Sequence, residues 1–87
     1  MKFLDQHIFK DEKFSIGLEE TEGIYYISIP VSNPYVDYEE YYEISESQYR
    51  QCPGNIEELK AIAEACRARR NDSKLIMKPG RLRGTPL

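Results

Sequence analysis

One histidine, His7, is all the imidazole this 87-residue chain contains. That scarcity removes several chemistries at once. Serine or cysteine nucleophiles need an oriented base beside them, and His7 lies in the least patterned part of the sequence. Two cysteines, Cys52 and Cys66, give no CxxC spacing, so neither a disulfide scaffold nor a zinc site is expected, and both should be reduced. No apolar run approaches the roughly 18 residues that span a bilayer. Nothing after Met1 reads as a signal peptide, so the expected compartment is the cytosol. No glycine-rich loop precedes a helix: Gly17 and Gly23 sit in a strand and a turn, and "KPGRLRG" lacks phosphate-loop spacing. No calcium-loop pattern is present, and no cofactor or metal is expected. A chain of this length forms one domain, residues 1–87. It buries only about 60–65% of its unfolded surface, which leaves little room for a deep active-site cleft.

What the sequence has instead is unevenly placed charge. Met1 to Tyr49 carries eleven acidic residues against three basic ones, a balance of −8, while Arg50 to Leu87 carries nine basic against four acidic, a balance of +5. Separated charge of this kind steers encounter and sets the orientation of a partner. The acidic half culminates in "VDYEEYYEI", Val36 to Ile44, four acids and three tyrosines between apolar ends.

Residues 1–12 give no clear period, because Phe3, Leu4, Ile8 and Phe9 fit helix and strand equally. Phe14, Ile16 and Leu18 then alternate with polar or small residues, as in a half-buried strand. "ETEG" is a turn, and "IYYISIPV" is a second strand, making a hairpin. Pro30 cannot donate to a ladder, which places it at a frayed or edge position. Read as a third strand, Val36–Ile44 puts Val36, Tyr38, Glu40, Tyr42 and Ile44 on the core face and Tyr35, Asp37, Glu39, Tyr41 and Glu43 on the other. Glu40 is the misfit, and either a bulge at Glu39–Glu40 or a lateral ion pair should accommodate it. Ser45 and Gln48 form a capping box for a short helix that Pro53 and Gly54 stop. Asn55 and Glu58 repeat the cap before "IEELKAIAEACRARR", whose Ile56, Leu59, Ile62, Ala63 and Cys66 share one face. Glu57 and Glu58 at its start and Arg67, Arg69 and Arg70 at its end suit the helix dipole. "KLIMK" reads as a last strand, and residues 79–87 as a basic, turn-rich tail. The expected fold is α+β: a small antiparallel sheet in the order β-β-β-α-α-β, with the long amphipathic helix packed on one face.

Exposed carboxylates near their ordinary pKa do little acid–base work, so the acidic strip points to binding and not to an enzyme. Tyrosine covers much area with few rotors and keeps a polar tip, and carboxylates beside it select a cationic partner. Tyr35, Asp37, Glu39, Tyr41 and Glu43 are the expected contact residues, while Tyr38 and Tyr42 belong to the core. The alternative is a nucleic-acid-associated domain using Arg67, Arg69, Arg70, Lys74, Lys78, Arg81 and Arg83 on phosphates. The tyrosines that would stack on bases, however, sit among acids that repel a phosphate backbone. A purely structural subunit is a third class, and would show self-association without a foreign partner.

"KFSIG", "YYISIPVSNPYVDYEEYYEIS", the helix through "CRARR" and "LIMKPGRLRG" together resemble small immunity proteins. These are encoded beside the toxins of bacterial contact-dependent growth inhibition and related polymorphic toxin systems. The resemblance runs from about Lys13 to Pro86 and is most distinctive in "VDYEEYYEIS" and "KPGR". It implies a cytoplasmic, non-enzymatic inhibitor of one cognate toxin domain with a basic surface, often a nuclease. It assigns no contact residues, which rest on the strip alone.

Overall fold

Alternating apolar residues fold the first half of the chain into an antiparallel meander. In the computed structural model, which describes residues 1–78 and 83–87, β1 (Phe3–Phe9), β2 (Phe14–Glu19), β3 (Ile24–Ser32) and β4 (Asp37–Glu43) lie side by side in chain order. Two helices follow, α1 (Glu46–Gln51) and α2 (Ile56–Arg67), then a 3-10 turn at Asp72–Lys74 and a two-residue strand β5 (Thr85–Pro86). The fold is the expected α+β class, a small antiparallel sheet with two helices.

The inner face of the sheet carries the core. Ile16, Ile27 and Tyr42 stand in one cross-strand row, with Phe14, Ile29, Val31 and Ile44 around them. Helix α2 lays Leu59, Ala63 and Cys66 onto this surface at helical spacing. A fully buried Leu or Ile contributes about 1.5–3 kcal/mol, so this layer dominates the stability of a small domain. Burial pushes the Cys66 thiol up to about 11 despite the Asn71 amide beside it, and both cysteines are free thiols.

The capping box before α1 forms as expected: Ser45 Oγ accepts from the Gln48 N–H at 3.0 Å, and Gln48 Oε1 accepts from the Ser45 N–H at 2.9 Å. The second cap does not form. Asn55 instead turns its amide to donate to the Gln48 carbonyl at 3.1 Å, tying α2 to α1. Pro30 behaves as an edge residue inside a strand. Its carbonyl accepts from Leu87 N–H at 3.1 Å, so its missing N–H would point to the side where β2 has ended and β5 begins.

One open reading is settled and two sequence expectations need correction. Residues 1–12, whose spacing left helix and strand open, hold a strand: β1 pairs with β2, with a register shift between Asp5 and His7. The extra residue, Gln6, reverses the in–out phase, so Leu4, His7 and Phe9 pair with inward-facing residues of β2 while Phe3, Asp5 and Ile8 face the other way. A simple alternation count cannot see through that shift. "KLIMK" is not a strand, since after the 3-10 turn only Leu75 bridges Tyr42 and Ile76 N–H reaches the Tyr41 carbonyl at 2.9 Å. The added strand comes from the presumed tail, where β5 pairs with Val31 and Ser32 of β3. Residues 79–82, including Arg81, lie outside the described residues.

Candidate partner-binding face

The face of the sheet opposite the helices carries the strip. The β4 ladder to β3 is continuous from Asp37 to Glu43, without a bulge, so Asp37, Glu39, Tyr41 and Glu43 all project to this outer face. Asp37, Glu39 and Glu43 are exposed. Tyr35 stands just before the strand, 80% exposed, on a turn that Asn33 Oδ1 closes by accepting from the N–H groups of Tyr35 and Val36. Val36, expected on the core face, is 60% exposed at the same corner. Four of the five expected contact residues thus share one surface, and the fifth flanks it.

Tyr41 is the exception to simple exposure. Its ring stacks on Phe3 of β1 with centroids 3.7 Å apart, and Tyr26 of β3 meets both rings nearly at right angles. Phe3 and Tyr41 belong to strands separated by two others, a distance of about 14 Å across a flat sheet. Their contact means the sheet curls strongly toward this side. Gly17 makes the curl achievable. A Cβ there would collide with the Leu4 carbonyl oxygen and with the Tyr26 ring, so only glycine lets Tyr26 lie down across β2. The Tyr26 hydroxyl then donates to Asp5 Oδ1 at 2.6 Å. Curling buries both faces of β2, which alternation had marked as half-buried; Ser15, Gly17 and Glu19 are all enclosed.

Phe3, Asp5 and Tyr26 therefore join the strip, and sequence reasoning missed all three. The only available signal was Gly17 inside a strand, a mark of close approach by another group. Electrostatics on this face disfavour negative charge. Partial desolvation by the surrounding side chains and the charge of Asp5 push the Glu39 carboxyl above its usual range, although the residue as a whole is exposed. Burial, together with Glu39 and Asp5, does the same to the Tyr41 phenol.

Glu40, the misfit, points inward and is 4% exposed. It is held by a lateral ion pair, one of the two expected accommodations, and by much else. Arg83 grips it with Nε at 2.8 Å and Nη2 at 3.0 Å while also bridging to Asp72 at 2.8 and 3.0 Å. Arg69 Nη1 lies 3.3 Å away, and the Tyr42 hydroxyl donates at 2.8 Å. Burial alone would raise this carboxyl, but the bonds from Arg83 and Tyr42 and the two positive charges hold it below the ordinary range. Tyr38 closes the cage by donating weakly to Glu40 and accepting from Gly84 N–H at 3.0 Å. Tyr38 and Tyr42 are accordingly core residues.

Three of the seven basic residues of the alternative reading are engaged within the fold, two of them in this cage. Arg69 donates to Glu40 and the Gly84 carbonyl, Arg83 is fully engaged, and Arg67 caps the β1–β2 turn by donating to the Glu12 and Lys13 carbonyls at 2.6 Å each. Arg70, Lys74 and Lys78 are the exposed cations left on that side among the described residues. Among those residues, no group of three or more His, Cys, Asp or Glu side chains could hold a metal ion, and no helix is long and apolar enough to cross a membrane.

No family model, curated protein or solved structure matches this chain.

Proposed function

We propose that this chain is a non-enzymatic immunity protein that acts in the cytosol by covering a basic surface of a cognate toxin domain. The observation that carries the reading is the outer sheet face: Asp37, Glu39 and Glu43 exposed in a row, with aromatic rings among them and, among the described residues, no helix laid over them. A protein surface of this kind fits a positively charged groove such as a nuclease presents to nucleic-acid phosphates. The sequence resemblance to immunity proteins supports the same reading. Internal use of Arg67, Arg69 and Arg83 weakens the nucleic-acid alternative, because side chains that cap carbonyls and neutralise Glu40 are not free to track a phosphate backbone.

The test is a pull-down with the product of the adjacent reading frame, followed by association kinetics at low salt. Reversing Asp37, Glu39 and Glu43 to lysine should slow association by about tenfold or more, an effect that shrinks as salt rises, and should leave the circular dichroism spectrum unchanged. An association rate that does not respond to these reversals places the interface elsewhere. A gel shift with RNA or DNA at the same salt separates the alternative.

A further inference from the structure

The sheet ends on one side at β1, and among the described residues nothing pairs with the far edge of that strand. Backbone alternation says which groups are left there. The Lys2 carbonyl accepts from Glu20 N–H, so Lys2 turns to β2 and Phe3 turns to the free edge. A second count starts from the Tyr25 carbonyl, which accepts from Ile44 N–H just past β4. It turns Ser28 toward β2, Ser15 toward β3 and hence Ile8 to the free edge as well. The Ile8 side chain is 62% exposed and lies on the outer face with Phe3. An open edge of this kind is a template for another strand.

The bulge decides which strand fits. Gln6 is exposed like outward-facing Asp5 and Ile8, whereas inward-facing Leu4, His7 and Phe9 are half-buried. Asp5 and Gln6 are therefore two consecutive residues on the outer side. A regular strand alternates at every position, so one laid along β1 matches its faces on one side of the bulge and is inverted on the other. A second copy of β1 carries the same irregularity. Run antiparallel about a twofold axis between Asp5 and Gln6, two copies match throughout: Phe3 opposes Ile8, Leu4 opposes His7, and Asp5 opposes Gln6, each pair on one face. No other twofold register matches faces on both sides of the bulge. The two Phe3–Ile8 pairs also join the positions whose backbone groups point outward, so each pair can exchange two N–H···O=C bonds. The same register keeps the two Asp5 carboxylates from standing directly opposite one another and sets a Gln6 amide across from each.

We propose that the free edge of β1 is the contact of a homodimer, in which two chains join edge to edge into one continuous sheet. This goes beyond toxin binding and does not depend on it, since Asp37, Glu39 and Glu43 lie on β4, at the other end of the strand order. A contact of one strand per chain is small, which sets the dissociation constant on the order of 10–100 μM.

Sedimentation velocity of the full chain across that range should show the average mass rising from monomer toward dimer. Ile8→Lys, at a position already exposed in the monomer, should leave the circular dichroism spectrum unchanged and weaken the dimer by about tenfold or more. Val36→Lys, the same kind of exchange at a residue 60% exposed beside the other edge, should leave dimerisation within about twofold. The register is read by NMR from a mixture of isotope-labelled and unlabelled chains. Intermolecular NOEs should join the Ile8 side chain of one copy to the Phe3 ring of the other. A chain that stays monomeric throughout, a dimer indifferent to Ile8→Lys, or intermolecular NOEs from another face or register would overturn the proposal. None of these readouts involves the toxin, so failure of the docking reading leaves them untouched.

Discussion

Arg69 is a side chain in a glycine's place, and replacing it in two ways separates what the backbone costs from what the guanidinium contributes. Helix α2 ends in a Schellman arrangement, with Arg69 N–H bonded to the Cys66 carbonyl at 3.1 Å and Arg70 N–H to the Ala65 carbonyl at 2.9 Å. That arrangement puts Arg69 at φ 62°, a left-handed conformation costing about 1–2 kcal/mol for a residue with a Cβ. The conformation aims its side chain at Glu40 and the Gly84 carbonyl. Arg69→Ala keeps the backbone cost and loses the charged hydrogen bonds, a destabilisation of about 1.5–3 kcal/mol, limited because Arg83 still holds Glu40. Arg69→Gly loses the same bonds but relieves the left-handed residue, with part of that gain offset by a more flexible unfolded chain. The glycine variant should therefore be more stable than the alanine variant by about 0.5–1 kcal/mol, or several degrees in Tm for a domain of this size, with both below the wild type. Urea unfolding followed by circular dichroism measures the order, and equal slopes would show that the unfolded states are comparable. If alanine matches or exceeds glycine, the left-handed turn is not costing the fold what its dihedral implies.

Two further outcomes follow from buried groups. The Glu19 carboxylate is enclosed, which alone would raise its pKa, but N–H bonds from Lys2, Thr21 and Glu22 at 2.7–2.8 Å bring it down to about 2. A carboxyl depressed in the folded state stabilises above its unfolded pKa of about 4.5, and that contribution is lost as pH falls toward 2. Glu19→Gln should thus be less stable than wild type at pH 7, with the gap closing between about pH 4.5 and pH 2; a gap in urea midpoint that stays constant over that range would count against this account. Gly17→Ala should cost about 1–3 kcal/mol through overpacking and displace Tyr26, lowering the near-ultraviolet tyrosine signal; a wild-type spectrum with unchanged stability would mean the close approach at Gly17 is not what shapes the outer face.

Much of this architecture can be read directly from the residues. Alternation finds β2 and β3, the Ser45–Gln48 pair marks α1, and the spacing of Leu59, Ala63 and Cys66 gives the buried stripe of α2. Glu40 is legible as a problem but not as a solution, because Arg83 lies 43 positions away and nothing local pairs them. The bulge hides β1, since one inserted residue reverses the phase on which a strand is recognised. The acidic half of the binding face is visible in "VDYEEYYEI", but its aromatic half is not. Phe3 and Tyr26 reach Tyr41 only because the sheet curls over Gly17, and curl is a property of packed strands that no single segment carries.

The Glu40 cage also sets the order in which a nascent chain can finish folding. β4 brings a carboxylate destined for the interior, and the two arginines that neutralise it, Arg69 and Arg83, follow 29 and 43 positions later in the chain. Sealing the core over that charge alone would cost several kcal/mol, so a closed core over Glu40 needs a chain that extends through Arg83. Completion of the fold is thereby coupled to near-completion of synthesis, and truncated products are left with an unsheltered acid at their centre and no stable core to offer.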